Sequence, residues 1–275
     1  MDDFDFLRIM QLITKTTGII PRDSHKTGIR NFVEKRIPEI SAENNETVLS
    51  YFHYLLDNPQ EVIKLINSAT VNETYFFREE AQFKLLKQKI FPELKIKNNG
   101  KIKIWSAASS SGEEIFSLYL LAASMGIDAE CTASDINTNV LEICGKGTYK
   151  KNAIRTVDGA AFQNLLVPYQ KEDGGFQIPQ EICEKIKCMQ INLSNIQDFP
   201  KNQDIIFIRN VFIYFSSETR KMILKRIAED ALADGGYIFV SMNETASIEK
   251  SMLPDCLQKC SDGNVFYFQK QGGKE

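Results

Sequence analysis

Ile104-Trp105-Ser106-Ala107-Ala108-Ser109-Ser110-Ser111-Gly112-Glu113-Glu114 is the stretch that decides the fold. An apolar run at 101–105 ends in a turn of small residues, and a helical pattern follows over 113–123. Strand, small-residue turn and helix form the opening unit of a doubly wound sheet, in which ligands bind beyond the carboxyl ends of the strands. Small side chains let a ligand approach the backbone closely, and the helix start offers unpaired N–H groups. The turn lacks the G-x-G-x-x-G pattern of a phosphate cradle. Glu113 and Glu114 suit the positive end of the helix dipole. They would repel a pyrophosphate and welcome a ligand carrying an amino or sulfonium cation. The plainer reading of either is a residue that merely stabilises the helix start.

A second apolar run, 129–133, ends in Ala133-Ser134-Asp135-Ile136-Asn137, about 20 residues after the turn. An acidic residue there is the usual acceptor for the two hydroxyls of an adenosine ribose. A lone aspartate at a strand end is otherwise a common helix cap. Taken with the turn, Asp135 indicates an adenosine ligand held without phosphate contacts. S-adenosylmethionine satisfies that description, whereas NAD and FAD do not.

Further strands at 189–191, 205–208, 237–240 and 265–268 alternate with helical patterns at 140–145 and 218–233. This alternation predicts an α/β, doubly wound, mostly parallel sheet of the Rossmann-like methyltransferase type, with scope for an antiparallel edge at the end. Residues 150–188 break the alternation. Asp173-Gly174-Gly175 reads as a tight turn between 165–169 and 176–178, and the stretch is expected to be an inserted antiparallel β-subdomain. Upstream, residues 1–75 read as a small helical domain joined through a linker at 70–80 to the catalytic domain, 76–275. Phe6, Ile9, Met10 and Ile13 recur at helical spacing, and Gly18 is a plausible stop. Ser24 is expected to cap a second helix carrying Ile29, Phe32, Val33 and Ile37. Val48, Tyr51, Phe52 and Leu55 mark a third, and Asn58-Pro59 a cap opening a fourth. A longer helix is expected over 79–95.

Composition narrows the chemistry. With 43% hydrophobic and 25% charged residues the chain is an ordinary globular protein. A net charge of −3 gives no reason to expect nucleic acid. No apolar run approaches the roughly 20 residues of a membrane span, and the acidic start lacks the marks of a signal peptide. A cytoplasmic location is expected. The six cysteines contain no CxxC pair, and Cys256 with Cys260 has no histidine nearby, so no metal site is expected. The only two histidines, His25 and His53, lie in the N-terminal third. A Ser-His-Asp triad has few places to exist, and the chemistry should need little proton transfer.

Several segments together resemble the CheR family of chemotaxis methyltransferases. Asn72-Glu73-Thr74-Tyr75-Phe76-Phe77-Arg78-Glu79 is similar to its N-x-T-x-F-F-R-E signature. Trp105-Ser106-Ala107-Ala108 through Glu114 resembles its W-S-A-A-x-S-x-G-E-E turn. Ala133-Ser134-Asp135-Ile136, Ile191-Asn192-Leu193 and Arg209-Asn210-Val211-Phe212-Ile213-Tyr214-Phe215 match later motifs in order. Gly235-Gly236-Tyr237 with Ser241-Met242-Asn243-Glu244 resembles G-G-Y…G-H-S-E, from which Met242-Asn243 departs. The likeness runs from about residue 20 to residue 268.

The resemblance implies transfer of a methyl group from S-adenosylmethionine to glutamate carboxylates on the cytoplasmic domain of chemotaxis receptors, leaving S-adenosylhomocysteine. It implies that Glu113 binds the cofactor's amino group and Asp135 its ribose. Asn192 and Leu193 would contact the adenine region, Ala107 would join the cofactor site, Arg209 and Asn210 would line the cofactor and substrate mouth, and Thr74 would lie near the methyl group. Arg78 and Tyr214 would flank the reacting methyl group. The plain alternatives are a surface ion pair of Arg78 with Glu79 or Glu80, and a core position for Tyr214. The second helix carries Arg22, Lys26, Arg30, Lys35 and Arg36, and the family's corresponding helix faces the acidic methylation region of the receptor. Arg30, Lys35 and Arg36 are therefore the expected docking residues. The chain is expected to act as a monomer and to insert into no membrane. In some family members the inserted subdomain grips a receptor C-terminal peptide by strand addition. Competing readings are a methyltransferase for another protein or a small carboxylic acid, and a non-catalytic module that binds the cofactor or its product. A nicotinamide dehydrogenase is a distant third.

Overall fold

The computed structural model describes residues 3–44, 50–155, 157–195 and 198–272. Four helices come first: α1 (Asp3–Thr17), α2 (Asp23–Asn44), α3 (Tyr51–Asp57) and α4 (Pro59–Ala69). Ile9, Ile13, Ile29, Val33, Ile40, Tyr51, Leu55 and Leu65 close an apolar core of their own. Gly18 ends α1 in the left-handed region at φ +71° and donates its N–H to Thr14 O at 2.8 Å. A Cβ there would lie 2.8 Å from Ser194 Cβ, so only glycine makes this turn without a shift. The expected caps differ. Helix α2 already begins at Asp23, one residue ahead of Ser24. Asn58 makes no side-chain cap for α4; its Nδ2 donates to Tyr54 O at 2.7 Å and so closes the end of α3. Val48 lies outside the described residues.

The connector leads into α5 (Glu80–Leu85), a π-turn over Leu86–Ile90, and α6 (Phe91–Lys97). The expected single helix is broken because Pro92 has no N–H to donate. The ladder slips by one residue instead, and Phe91 N–H reaches back to Leu86 O.

Strands β1 (Lys101–Ala107), β2 (Asp128–Asp135), β5 (Ile186–Gln190), β6 (Gln203–Phe207), β7 (Leu232–Phe239), β8 (Leu257–Asp262) and β9 (Val265–Lys270) form one sheet ordered β5-β2-β1-β6-β7-β9-β8. Five run parallel, and β9 and β8 are antiparallel. Helices α7 (Glu113–Ser124), α8 (Thr138–Lys146) and α10 (Ser217–Arg226) make the crossovers. Alternation along the strands serves two cores: Ile102 and Ile104 join one side, while Trp105 and Ala107 join the other. The chain works outward from β1 to β2 and β5, then returns to β6 on the far side of β1. That reversal leaves a crevice beyond the carboxyl ends of β1 and β6.

Three expectations about this half shift. The helix after β6 unwinds through a π-turn, Ile227–Ala231, and Gly235-Gly236 lies inside β7 as an irregularity in its pairing with β6. β9 is not the edge, because β8 lies outside it. The inserted segment ends before β5, which belongs to the main sheet. Its small sheet pairs β3 (Thr148–Tyr149) with β4 (Phe176–Gln177), while Val167–Tyr169 forms a 3-10 turn. A tight turn does form at Asp173–Gly175, closed by Lys171 N–H to Gly175 O at 2.8 Å and a bridge of Gln170 with Phe176. The remaining short helices are α9 (Gln180–Cys183) and α11 (Met242–Thr245).

Candidate functional site

A cleft enclosing about 900 Å³, open solvent at its mouth included, lies over the crevice. Its walls come from three parts of the chain. The sheet supplies Ala108, Ser109, Ser110, Glu114, Asp135, Ile136, Arg209 and Asn210. The connector supplies Asn72, Thr74 and Arg78, and the helical domain Thr17, Ile19 and His25.

The β1 turn is built for exposure. Ala108 and Ser110 adopt left-handed conformations at φ +102° and +50°, and Gly112 follows at φ +95°. Such strain in non-glycine residues persists only where surroundings over-determine it. Ala108 and Ser109 N–H groups both donate to Ser134 O, at 2.9 and 2.8 Å, and Ser110 N–H donates to Asp135 Oδ2 at 2.9 Å. A Cβ on Gly112 would collide with Cys144 Sγ. With the turn so fixed, α7 starts in a definite phase, and successive residues point about 100° apart. Glu114 therefore faces the crevice and Glu113 does not.

Here the expectation for Glu113 is corrected. Its carboxylate accepts from Ser111 Oγ at 2.6 Å, and burial holds its pKa above the usual range. It is absent from the cleft lining, as is Ala107, whose place is taken by Ala108. Glu114 accepts from Ser106 Oγ at 2.6 Å and from Arg209 Nε at 2.6 Å. Arg209 also donates to Arg78 O at 2.7 Å and to Gln82 Oε1 at 3.2 Å, tying the connector to α7.

Asp135 lines the cleft too. It is buried, and burial raises its pKa against the opposing hydrogen bonds from Asn137, Ser110 and Ile136 backbone. It is not the cap of α8: Asn137 takes that role, accepting from Asn139 N–H at 2.9 Å. Asn192 and Leu193 line the same cleft. Asn192 Nδ2 donates to Thr16 O at 2.7 Å, which draws α1 against the sheet.

Arg78, Thr74, Asn210 and Tyr214 line the same cleft. Arg78 sits between two left-handed residues, Phe77 at φ 56° and Glu79 at φ 60°. Phe77 N–H is fixed by Ser117 Oγ at 2.9 Å, and Asp158 of the inserted segment accepts from Glu79 and Glu80 N–H at 2.7 and 2.8 Å. The plain alternative of a surface ion pair is not adopted among the described residues. Glu79 instead accepts from Ser241 Oγ and Met242 N–H, and Arg78 donates to Glu73 O at 3.0 Å. Tyr214 is half-buried and borders the cleft; burial raises the pKa of its phenol. Its loop hangs from Glu244, which accepts from Asn210 N–H at 2.6 Å and from Ile213 N–H at 3.2 Å.

Reading the sequence assigned no role to Asn72, Ser109, Ser110, His25 or the supporting Glu244, and it offered Glu114 to a cationic ligand only together with Glu113. All but His25 stood in quoted motifs, so a signal existed for them. The docking trio divides. Lys35 is exposed, with 81% of its side chain free, and Arg30 is partly exposed beside Asp3. Arg36 is buried, donating to Glu61 at 2.8 and 3.1 Å and to Glu43 at 3.0 and 3.2 Å. It is an internal structural ion pair, because its partner Glu61 comes from α4 and seals it between helices.

Residues 72–259 match the family described as "CheR methyltransferase, SAM binding domain". The chain belongs to the CheR methyltransferase family. It is 31% identical over 256 residues to "Chemotaxis protein methyltransferase 2" of Vibrio cholerae, covering 89% of this chain and 86% of the relative. It is also 31% identical over 253 residues to "Chemotaxis protein methyltransferase" of Salmonella typhimurium, covering 90% and 85%. Against "Chemotaxis protein methyltransferase 1" of Pseudomonas aeruginosa the identity is 29%, covering 96% and 97%. The CheR-family chain is thus an S-adenosylmethionine-dependent methyltransferase on a doubly wound α/β fold. The site fits that cofactor. Two carboxylates and no phosphate cradle suit a cationic nucleoside, and Ser109 Oγ is buried at the cleft with no partner among the described residues, an unmet polar group of the kind a ligand satisfies. Among the described residues no helix is long and apolar enough to cross a membrane.

Proposed function

We propose that the chain methylates glutamate side-chain carboxylates on the cytoplasmic domain of chemotaxis receptors, leaving glutamyl methyl esters. The observation that supports this reading is the lining of one cleft, which brings together the acids Glu114 and Asp135 with Arg78 and Tyr214. When bound, the cofactor supplies a methyl group already activated by its sulfonium. Glu114 would hold its amino group, Asp135 the ribose, and Asn192 with Leu193 the adenine region. Arg78 would pair with the incoming carboxylate, and Tyr214 would orient it by its hydroxyl, with Thr74 and Asn210 completing the wall. A glutamate is ionised at neutral pH, so no residue needs to take a proton from it. The chain's work is alignment and exclusion of water. That agrees with a histidine-poor sequence and with a connector locked by Ser117, Asp158 and Arg209. Arg30 and Lys35 on the exposed part of α2 would meet the acidic receptor surface.

The test uses purified chain, cofactor labelled in its methyl group and receptor cytoplasmic fragments. Alkali should release labelled methanol, the mark of a carboxyl ester. Label that survives alkali, as an N-methyl group does, contradicts the reading.

A further inference from the structure

The only histidine at the cleft has a fixed tautomer. His25 is buried, and its Nδ1 accepts the N–H of Arg22 at 3.1 Å. Nδ1 therefore carries no proton in the neutral ring, and Nε2 does. Burial first, and the nearby Arg22 second, hold the pKa of this ring below its ordinary value, so the neutral form is the working one. Nε2 has no hydrogen-bond partner among the described residues. It is not one of the sealed, unpartnered polar atoms either, which there are Ser109 Oγ and Gln203 Oε1. The open space that His25 borders is the cleft.

The ring also lies against the reacting end. Its centroid is 5.2 Å from that of Tyr214, at an interplanar angle of 52°. The same tyrosine loop is held from two more directions by the segment leading into α2. Arg22 donates to Ile213 O at 2.8 Å, and Ile20 N–H donates to Tyr214 O at 2.8 Å. His25 is thus fixed to the wall that carries Tyr214, with one donor left over.

We propose that His25 binds substrate: its Nε2–H donates to an oxygen of the acceptor carboxylate, beside Tyr214. A neutral donor fits this place. It steadies the carboxylate without the full charge of Arg78, and so lowers the oxygen's nucleophilicity less than a second cation would. Because α2 also bears the exposed Arg30 and Lys35, the helix that meets the receptor is the one that delivers this donor. The proposal rests on the carboxylate reading of the acceptor given above.

Two substitutions separate binding from architecture. The amide nitrogen of glutamine stands where Nε2 stands, whereas the amide oxygen of asparagine stands where Nδ1 stands. H25Q keeps a donor toward the cleft, and H25N keeps the acceptor for Arg22. The measurement is kcat and KM for a receptor fragment, with cofactor affinity by calorimetry on the full chain. H25Q should stay within about threefold of the parent in kcat/KM, and H25N should fall roughly ten- to a hundredfold, the scale of one hydrogen bond to a charged group. Cofactor affinity should change little in both. H25N as active as the parent, or both variants falling equally with cofactor affinity, overturns the proposal. A parent chain that yields no alkali-labile methanol from receptor fragments overturns the carboxylate itself as the partner of His25. Methanol release by the parent with an unaffected H25N removes His25 alone.

Discussion

At the scale of single residues, adjacent side chains have different fates. Glu113 and Glu114 look alike in sequence, yet one closes onto Ser111 and the other onto Ser106 and Arg209 at the cleft. Glu114→Gln should weaken cofactor binding roughly ten- to a hundredfold, the scale of a lost charge-assisted hydrogen bond, while Glu113→Gln should change it less than about threefold. Calorimetric titration of both variants decides this; equal losses would contradict the assignment. Arg78→Ala should lower turnover by at least about tenfold and leave cofactor affinity nearly intact, since in the proposed reading its partner is the acceptor. Single-turnover kinetics beside cofactor titration provide the check. Equal loss in both would put Arg78 at the cofactor instead. The small turn and Asp135 were legible as part of a cleft because small and acidic residues stand at the ends of adjacent strands. The choice between two glutamates was not, since it depends on the phase in which α7 leaves a left-handed Gly112.

Among elements, the helical domain shows how charge misleads. Arg36 reads as one more cation on a basic helix, but its partner Glu61 lies 25 positions away in sequence and the pair is sealed between α2 and α4. Tyr51 adds its hydroxyl to the same carboxylate at 2.9 Å. Burial alone would raise the pKa of Glu61, and the hydrogen bonds from Arg36, Tyr51 and Lys64 outweigh it to hold the value below normal. A carboxyl so depressed contributes stability in full above its unfolded pKa of about 4.3 and loses it as pH falls through the lower folded value. Arg36→Ala should cost about 3–5 kcal/mol by leaving the buried Glu61 without its bidentate cation, with only Tyr51 and Lys64 still bonded to it, and should weaken that acid-limb dependence. Chemical denaturation at neutral pH and at acid pH measures both; an unchanged midpoint would contradict it. Strand β8 escaped the sequence because Leu257 alone of its six residues is buried, so no alternation marks it. β3, at two residues, is too short to carry a period, and β4, equally short, was marked only by the Asp173–Gly175 turn before it.

For the whole molecule, three separated segments make one site. Asn192 reaches Thr16, Asn137 Nδ2 donates to Asn67 O at 3.0 Å, and Ile20 meets the tyrosine loop, so the helical domain forms one wall of the cleft. The alternation of strands and helices foretold the sheet, and the quoted motifs contain many of the residues that line the cleft. Neither shows that α1 and α2 reach across to it, because those contacts are backbone and ring contacts without a sequence pattern. Reversing the charge of Arg30 and Lys35 together should slow receptor methylation mainly through KM, with the effect shrinking as salt rises. Steady-state kinetics at two ionic strengths test it; loss of turnover independent of salt would argue for a folding defect.

The most direct single measurement is a crystal structure of the full chain with S-adenosylhomocysteine. The ribose hydroxyls should meet Asp135, the amine should lie within hydrogen-bond reach of Glu114, and the sulfur should face the gap between Arg78 and Tyr214. A sugar bound away from Asp135, or a sulfur turned from that gap, would contradict the division of the cleft into a cofactor end and an acceptor end.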